Sequence, residues 1–199
     1  MIKVVLFDVD GVLVRARRMF SVNLEREYGI STEKTSSFFL GPFKECLVGK
    51  ADLKNAIEPY LKEWGWQKGV DALIEYWFKS EDIVDSSLIE YVQSLRRKGI
   101  KCYLATNQEN YRVDHMLNTM GFAQNFDGSY ASSHIGYVKP DAEFFARIYE
   151  NLDKIKKDEI LFWDNTLENI EGAQTFGIQA RLYTTFENFK ETMRQEYAL

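Results

Sequence analysis

The sequence predicts an α/β fold, a doubly wound parallel sheet into which a helical domain is inserted. Short β-rich apolar runs recur along the chain, and amphipathic stretches separate them. One long stretch near the N-terminus has helical patterning without such runs. Of the 199 residues, 45% are hydrophobic and 28% are charged, a globular balance that argues against long disorder.

Four apolar runs are predicted to be strands. The first, Val4 to Phe7, is apolar at every position and stops at Asp8, which is typical of a strand buried on both faces of a parallel sheet. The other three share its β-rich composition. They cover Ile100 to Ala105, Ile160 to Trp163 and Ile178 to Tyr183.

The stretches between these runs are predicted to be helices. Ser86 to Lys98 carries one apolar stripe and stops before a glycine. Further helices are predicted at Tyr111 to Met120, Pro140 to Leu152 and Leu167 to Phe176. Proline opens the second of these in its first turn, and a glycine follows each of the other two. The alternation of strands and helices predicts the doubly wound parallel sheet.

The stretch after the first strand predicts a second domain. It has helix-like patterning and many aromatic residues, and glycines and one proline divide it into segments. We assign residues 1–14 and 81–199 to the α/β core and residues 15–80 to the inserted helical domain. Its aromatic set is interpreted as the core of that domain and not as a stacking platform. The set comprises Trp64, Trp66, Trp77 and Phe78.

The charge balance and the N-terminal sequence argue against some classes of function. A net charge of -5 gives no broad cationic surface for a nucleic-acid backbone. The N-terminus has only a short apolar stretch, Ile2 to Phe7, which is broken by Lys3 and ended by Asp8, so it is too short for a signal segment or a membrane span. We expect a cytoplasmic protein, a monomer or homodimer, with neither nucleic acid nor membrane as a partner.

Two carboxylates follow the first predicted strand, at the edge of the sheet where open α/β folds bind ligands. Asp8 and Asp10 stand two residues apart, and Gly11 permits the chain to turn. One carboxylate can attack phosphorus, while the other moves the proton of the leaving group. Alone, this pair is more simply explained as a helix cap or a polar strand end. It needs corroboration from other strand ends.

That corroboration comes from later segments. After the second strand, the Thr106 hydroxyl and the backbone N–H groups of Asn107 and Gln108 can hold phosphoryl oxygens. Lys139, just before a proline, can offset the charge of phosphate and carboxylates. Each signal alone also fits a cap or a solvated lysine. Their occurrence in order at one sheet edge favours a phosphate site.

A third acid suggests a metal. Asp164 and Asn165 follow the strand that ends at Trp163. Asp8, Asp10 and Asp164 can therefore share a divalent cation, and oxygen ligands next to phosphate favour Mg²⁺. Without a cation, three clustered acids would repel a phosphate dianion.

With these residues in hand, the chain resembles the haloacid dehalogenase-like (HAD) superfamily, in the subfamily I type with a helical C1 cap inserted after the first strand of a Rossmann-like core. The resemblance covers almost the whole chain. The matching motifs are Asp8 to Val12, Thr106, Lys139 with Pro140, and Phe162 to Asn165 with Asn169, Gly172 and Ala173 downstream.

The resemblance implies an Mg²⁺-dependent phosphatase that hydrolyses a small phosphorylated metabolite through an aspartyl-phosphate intermediate. Asp8 would be the nucleophile and Asp10 the general acid and base. Thr106 and Asn107 would bind phosphate, and Lys139 would both bind phosphate and orient the reacting groups. The cap would close over the substrate and select its leaving group, with Arg15, Arg17, Arg18 and Lys50 as candidates.

The resemblance also implies a metal site, and here the sequence departs from the family. The ligands would be the Asp8 side chain, the Asp10 backbone carbonyl and Asp164, with Asn165 as a further candidate. Phosphatases of this branch commonly carry a second acid where this chain has Asn165. An amide oxygen can bind Mg²⁺ but adds no negative charge, so the departure predicts weaker metal binding and slower turnover.

Three alternatives stay open to different degrees. A sugar phosphomutase would use the same core. A binding or regulatory protein with weakened catalysis is supported by Asn165. The retention of the other motif residues argues against it; these are Asp8, Asp10, Thr106 and Lys139. A dehalogenase needs neither Asp10 nor a metal, so their presence disfavours it. The substrate itself is not specified by the sequence.

Overall fold

A single parallel sheet organises the chain in the computed structural model, which describes residues 1–15 and 18–199. The strand order is β3-β2-β1-β4-β5, and every neighbouring pair is parallel. The strands are β1 (Val4–Phe7), β2 (Lys101–Thr106), β3 (Gly128–Ala131), β4 (Ile160–Asp164) and β5 (Gln179–Leu182). The predicted parallel α/β sheet is confirmed, with β1 at its centre.

Helices cover both faces of this sheet. They are α6 (Ser86–Arg97), α7 (Asn110–Asp114), α8 (Phe122–Asn125), α9 (Ser132–Ile135), α10 (Ala142–Glu150), α11 (Leu167–Phe176) and α12 (Phe186–Tyr197). Because side chains alternate along a strand, β1 supplies both faces. Val5 and Phe7 join a cluster with α6 and α12, whereas Val4 and Leu6 join one with α10 and α11. This is the doubly wound arrangement.

The chain between β1 and α6 is helical and has a hydrophobic cluster of its own. Its helices are α1 (Phe20–Tyr28), α2 (Thr32–Leu40), α3 (Phe43–Leu47), α4 (Leu53–Trp64) and α5 (Val70–Ser80). Trp64, Trp66, Trp77 and Phe78 are all buried in this cluster, so their interpretation as core is confirmed. We call α1 to α5 the helical region.

Two short backbone segments connect the helical region to the sheet. The N–H of Arg15 donates to the carbonyl of Ile83 at 2.9 Å, and the N–H of Asp85 donates to the carbonyl of Leu13 at 2.9 Å. We propose that the boundaries between the core (1–14 and 81–199) and the inserted domain (15–80) lie at this crossing. Within the described residues, no helix combines the length and apolar character needed to cross a bilayer.

Several elements differ from the sequence prediction. The helix predicted at Tyr111 to Met120 is α7 followed by a π-helical segment, His115–Thr119, and the helices α8, α9 and α12 are not predicted. The helix expected from Pro140 begins at Ala142, so the proline lies in the preceding turn and not in the first turn. The sequence analysis does not predict β3, whose residues are mostly half-buried because it pairs only with β2 at the edge of the sheet. An edge strand of this kind lacks the continuous apolar run by which buried parallel strands are recognised.

Candidate active site

The backbone after β1 forms a tight turn that places Asp8 and Asp10 at the centre of the sheet edge. The N–H of Asp8 donates to the carbonyl of Trp163 at 2.9 Å, which extends the β1–β4 pairing by one residue. The carbonyl of Val9 then accepts from the N–H of Val14 at 2.9 Å. Gly11, inside this turn, has a φ of 85°, a conformation that glycine adopts without strain.

Lys139 joins two of the predicted carboxylates. Its Nζ donates to Asp8 Oδ1 and to Asp164 Oδ2, each at 2.6 Å, and all three side chains are buried. Burial raises the pKa of Asp8 to about 6 although the Lys139 ammonium opposes the rise. Burial also lowers the pKa of Lys139, but the charges of Asp8 and Asp164 outweigh it, so that pKa lies above its usual value. Lys139 is therefore a fixed cation.

The Asp164 side chain is held in place by further donors. Its Oδ1 accepts from the N–H of Thr166 at 2.8 Å, and its Oδ2 accepts from Asn169 Nδ2 at 3.0 Å. In the sequence, Asn169 is part of a motif but has no evident role. The structure shows that Asn169 shares an Asp164 oxygen with Lys139, so it fixes that carboxylate in the site.

Thr106 and Asn107 lie beside this group at the end of β2. Thr106 is buried. The Asn107 side chain brackets the backbone of Lys139, because its Nδ2 donates to the Lys139 carbonyl at 3.0 Å and its Oδ1 accepts the Lys139 N–H at 2.8 Å. The Asn107 side chain thus positions Lys139, and the residue's backbone N–H is left as its predicted donor to phosphate.

The Asp10 side chain points away from this group, towards the helical region. It is 53% exposed, and its Oδ2 accepts a hydrogen bond from Gln108 Nε2. Its Oδ1 lies 3.8 Å from Arg112, whose buried guanidinium also donates to the carbonyls of Phe78 and Glu81. Arg112 is not predicted from the sequence, because the sequence alone does not distinguish an arginine on a buried helix face from one exposed to solvent.

The donor set suits Mg²⁺ but differs from the predicted cluster of three acids. Among the described residues, no three His, Cys, Asp or Glu side chains are gathered in a way that would hold a metal ion. Asp8 and Asp164 share one cation partner, whereas Asp10 faces elsewhere. The Asn165 amide packs against Gly11, where an added Cβ would come within 2.2 Å of its Nδ2. Two carboxylates with carbonyl or amide oxygens nearby fit the preference of Mg²⁺ for few protein ligands and several waters.

Two cavities meet at Asp10. The first, of about 620 Å³, contains the polar residues described above; Asp8, Thr106, Asn107, Lys139 and Asn165 line it. The second, of about 560 Å³, extends into the helical region. Both are lined by Asp10, Met19, Glu81, Asn107 and Gln108. The polar site therefore opens directly into the helical region.

The basic residues suggested for substrate selection are mostly away from this opening. Arg15 lines the polar cavity and donates to the Tyr183 hydroxyl at 3.0 Å. Arg18 and Lys50 are exposed, and neither lines the two cavities. Arg17 lies outside the described residues.

The sequence pattern of haloacid dehalogenase-like hydrolases matches residues 2–177, which include every predicted site residue. The chain belongs to this family. The predicted resemblance is therefore confirmed at the level of the superfamily, and the chain is one of its hydrolases.

Relatives and solved structures agree with this membership. A sesquiterpene phosphatase of Aspergillus oryzae is 32% identical over 95 residues, 47% of this chain and 47% of that protein. A phosphorylated carbohydrates phosphatase of Thermotoga maritima is 26% identical over 187 residues, 90% of this chain and 83% of that protein. The chain thus spans about half the length of the first relative.

The fold has a close counterpart among solved structures. A HAD family enzyme from Bacteroides thetaiotaomicron, in complex with magnesium and inorganic phosphate, has a TM-score of 0.82 and 20% identity. The match covers 98% of this chain and 100% of that chain. At this identity the likeness establishes a common fold for the whole described chain, including the helical region.

Proposed function

We propose that this chain is an Mg²⁺-dependent phosphatase that hydrolyses a small phosphate monoester through an aspartyl phosphate on Asp8. The observation that carries the proposal is the Lys139 ammonium, 2.6 Å from both Asp8 and Asp164 at the carboxyl edge of the sheet. A fixed cation beside a nucleophilic carboxylate offsets the charge of an incoming phosphate group. The phosphatase names of two relatives support the same activity.

In the first step, an Asp8 carboxylate oxygen attacks phosphorus, and the bond between phosphorus and the ester oxygen breaks. Asp10 donates a proton to that oxygen, so the leaving group departs as a neutral alcohol. Thr106 and the Asn107 backbone N–H hold phosphoryl oxygens during the transfer. Lys139 stays hydrogen-bonded to Asp8 and limits its motion. The products of this step are the alcohol and phosphorylated Asp8.

In the second step, water hydrolyses phosphorylated Asp8. The Asp10 carboxylate now takes a proton from the water as its oxygen attacks phosphorus. The bond between phosphorus and the Asp8 oxygen breaks, which restores the Asp8 carboxylate and releases inorganic phosphate. Gln108 and Arg112 orient Asp10 in both steps, because both contact its carboxylate.

The metal would be held by Asp8, Asp164 and the Asp10 backbone carbonyl, with the Asn165 amide near enough to the turn to contribute. When bound, Mg²⁺ would neutralise charge on the phosphoryl oxygens. The magnesium complex of the Bacteroides enzyme supports this choice of ion. Asp164 is fixed for this task by Asn169 and Thr166.

The helical region would act as a cap that excludes water and selects the leaving group. It rests on the core in the described structure, where the Tyr111 hydroxyl donates to Asp52 Oδ2 at 2.6 Å. The names of the relatives point to different substrates, since one is called a sesquiterpene phosphatase and another a phosphorylated carbohydrates phosphatase. The names therefore support phosphate release without deciding the leaving group.

Asn165 favours a second candidate function, a HAD-fold binding or regulatory protein with weakened catalysis. Beside Gly11, this residue offers a neutral amide where phosphatases of this branch commonly carry a second acid. Under that alternative, wild-type protein releases no phosphate with any divalent metal, and Asn165→Asp gains activity. Under the phosphatase proposal, wild-type protein is active, and Asn165→Asp lowers the Mg²⁺ concentration needed for half-maximal activity.

Release of phosphate from p-nitrophenyl phosphate tests the proposal. We expect turnover by wild-type protein with Mg²⁺, loss of turnover with a chelator, and recovery when Mg²⁺ is restored. Asp8→Asn should lower kcat by more than about 10³-fold, because the nucleophile is lost while the shape of the side chain is kept. Asp158→Asn, on the surface before β4, is the matched control and should keep wild-type activity. Equal activity of Asp8→Asn and wild type would refute the mechanism.

A further inference from the structure

The cavity that extends into the helical region has an apolar wall. Its volume is about 560 Å³, within the range of roughly 300–1,000 Å³ typical of pockets that enclose drug-sized ligands. Phe20, Phe39, Leu40, Phe43, Leu47 and Trp77 form most of this wall. We call it the apolar chamber. Such a surface favours the burial of hydrocarbon.

The chamber lies on the leaving-group side of the site. Asp10, which would protonate the ester oxygen, lines both the chamber and the polar cavity. Asp8, Thr106 and Lys139 line only the polar cavity, on the phosphate side. A phosphate held against Asp8 by Thr106 and Lys139, with its ester oxygen at Asp10, therefore directs the remainder of the substrate into the apolar chamber.

Several polar groups on the chamber wall already have partners within the protein. The Thr35 hydroxyl donates to the Thr32 carbonyl at 3.0 Å, and the Ser36 hydroxyl donates to the Glu33 carbonyl at 2.6 Å. One Glu81 carboxylate oxygen accepts from Trp77 Nε1 at 2.9 Å, and the other accepts from a backbone N–H. The protons of these two hydroxyls and both oxygens of Glu81 are therefore already engaged within the protein.

Charge on the wall disfavours a second anionic group. Among the described residues that line the chamber, Arg112 is the one cation, and its guanidinium is buried and donates to two backbone carbonyls. Asp10 and Glu81 contribute carboxylates. A carboxylate or a second phosphate on the leaving group would face these acids with no free cation from the described lining.

We propose that the substrate is the monophosphate of a bulky, uncharged, apolar alcohol, whose hydrocarbon part occupies the apolar chamber. This inference rests on the proposed phosphatase function and specifies its substrate class. Burial of one methylene group raises affinity roughly fourfold, so a chain that buries four of them gains on the order of 100-fold.

A series of n-alkyl phosphates tests the proposal, since ethyl, butyl and octyl phosphate share the same ester chemistry and differ in apolar area. We expect kcat/KM to rise with each increase in length and, with about four of the six additional methylene groups buried, to be on the order of 100-fold higher for octyl than for ethyl phosphate. Octyl phosphate should also exceed glucose 6-phosphate by a similar factor. A flat or falling series, with Asp8-dependent hydrolysis intact, overturns the chamber proposal and leaves the phosphatase function standing.

A pair of variants tests whether the alkyl chain lies in the apolar chamber. Leu40 lines the chamber and is 70% exposed, so Leu40→Gln adds a polar group at little cost to folding. We expect it to reduce the octyl-to-ethyl ratio of kcat/KM by about fivefold. Val22→Gln changes a residue that is 41% exposed on α1 and does not line the chamber, and it should leave that ratio unchanged. An unchanged ratio in Leu40→Gln would place the alkyl chain elsewhere.

Measurements of binding distinguish the proposal of the apolar chamber from that of the phosphatase activity. Calorimetry of Asp8→Asn with the same three alkyl phosphates should give Kd values that fall with chain length, whatever the turnover of the wild-type protein. If nothing is hydrolysed but Kd falls in this way, the phosphatase function fails and the apolar binding site stands. If Kd is independent of chain length, the chamber proposal is overturned.

Discussion

The sheet edge and the apolar chamber share Asp10 but are built in opposite ways. At the edge, Lys139 and Asp164 are almost completely buried, and each is held by at least two hydrogen bonds. In the chamber, Leu40 is 70% exposed and Phe39 is only partly buried. The nucleophile and its cation partner therefore lie in a buried frame, whereas the exposed part of the surface that selects the leaving group can change without disturbing that frame.

This difference predicts two kinds of substitution. A change at the sheet edge should affect every phosphate ester, because all of them need the same nucleophile and cation. A change in the chamber should alter the preference among leaving groups and spare the chemistry.

Lys139→Met should have the largest effect. It removes the ammonium between Asp8 and Asp164 and leaves two buried carboxylates without their cation. We expect phosphate release to fall by more than about 10³-fold for every ester, and the free energy of unfolding without Mg²⁺ to fall by about 3 kcal/mol near neutral pH. Urea denaturation measures the second effect. The loss of stability should shrink on acidification, because protonation removes the repulsion between the carboxylates.

Lys98→Met is the matched control for that substitution. Lys98 is exposed at the end of α6, so its replacement should change stability by less than about 0.5 kcal/mol. If Lys139→Met behaved like this control, the buried ammonium would have no part in the site.

Asp10→Asn should have the next largest effect and should change which step limits the rate. Loss of the general acid and base lowers kcat by roughly 10²–10⁴-fold. With p-nitrophenyl phosphate, whose leaving group departs without a proton, the second step should suffer more than the first. Rapid mixing should then show a burst of p-nitrophenol followed by slow turnover. A proportional slowing with no burst would contradict the role of Asp10 in the second step.

Phe43→Ala should have the smallest effect on the chemistry. Phe43 lines the chamber and packs against Phe39 and Trp77, with ring centroids 5.3 and 5.5 Å apart. Because the side chain is only partly buried, we expect a loss of about 2 kcal/mol in the free energy of unfolding. The kcat for p-nitrophenyl phosphate should change far less than in Lys139→Met, while the KM for octyl phosphate rises. A loss of kcat as large as at the sheet edge would remove the distinction between the two regions.

The sheet edge could be predicted from the sequence because its residues follow apolar strands in order. Asp8, Thr106 and Asp164 each stand at the end of such a strand, and parallel strands bring their carboxyl ends together. Lys139 lies outside any strand, but the proline after it and the resemblance to the family marked its position. The regular geometry of parallel strands therefore allowed this half of the site to be predicted from the sequence.

The surroundings of Asp10 could not be predicted in the same way. Gln108 and Arg112 contact Asp10 although about a hundred residues of chain separate them from it. No local sequence pattern indicates such long-range contacts. Because the Asp10 side chain points away from Asp8 and Asp164, the three acids do not form one cluster. Side-chain direction at a turn depends on tertiary packing, which the spacing of two acids does not specify.

The apolar chamber could not be predicted from the sequence either. The aromatic residues of the helical region were correctly interpreted as core, yet Trp77 both packs in that core and lines the chamber. Whether an aromatic ring faces its neighbours or an opening depends on how five helices pack, and periodicity gives only the helices.

Trapping the covalent intermediate shows whether Asp8 is the nucleophile. Asp10→Asn is mixed with p-nitrophenyl phosphate and Mg²⁺, quenched in acid within the burst, and digested for peptide mapping by mass spectrometry. The mechanism predicts one phosphoryl group on Asp8, labile to hydroxylamine as expected for an acyl phosphate. Release of p-nitrophenol in a burst with no phosphoryl group on Asp8, or with the group on another residue, would contradict it.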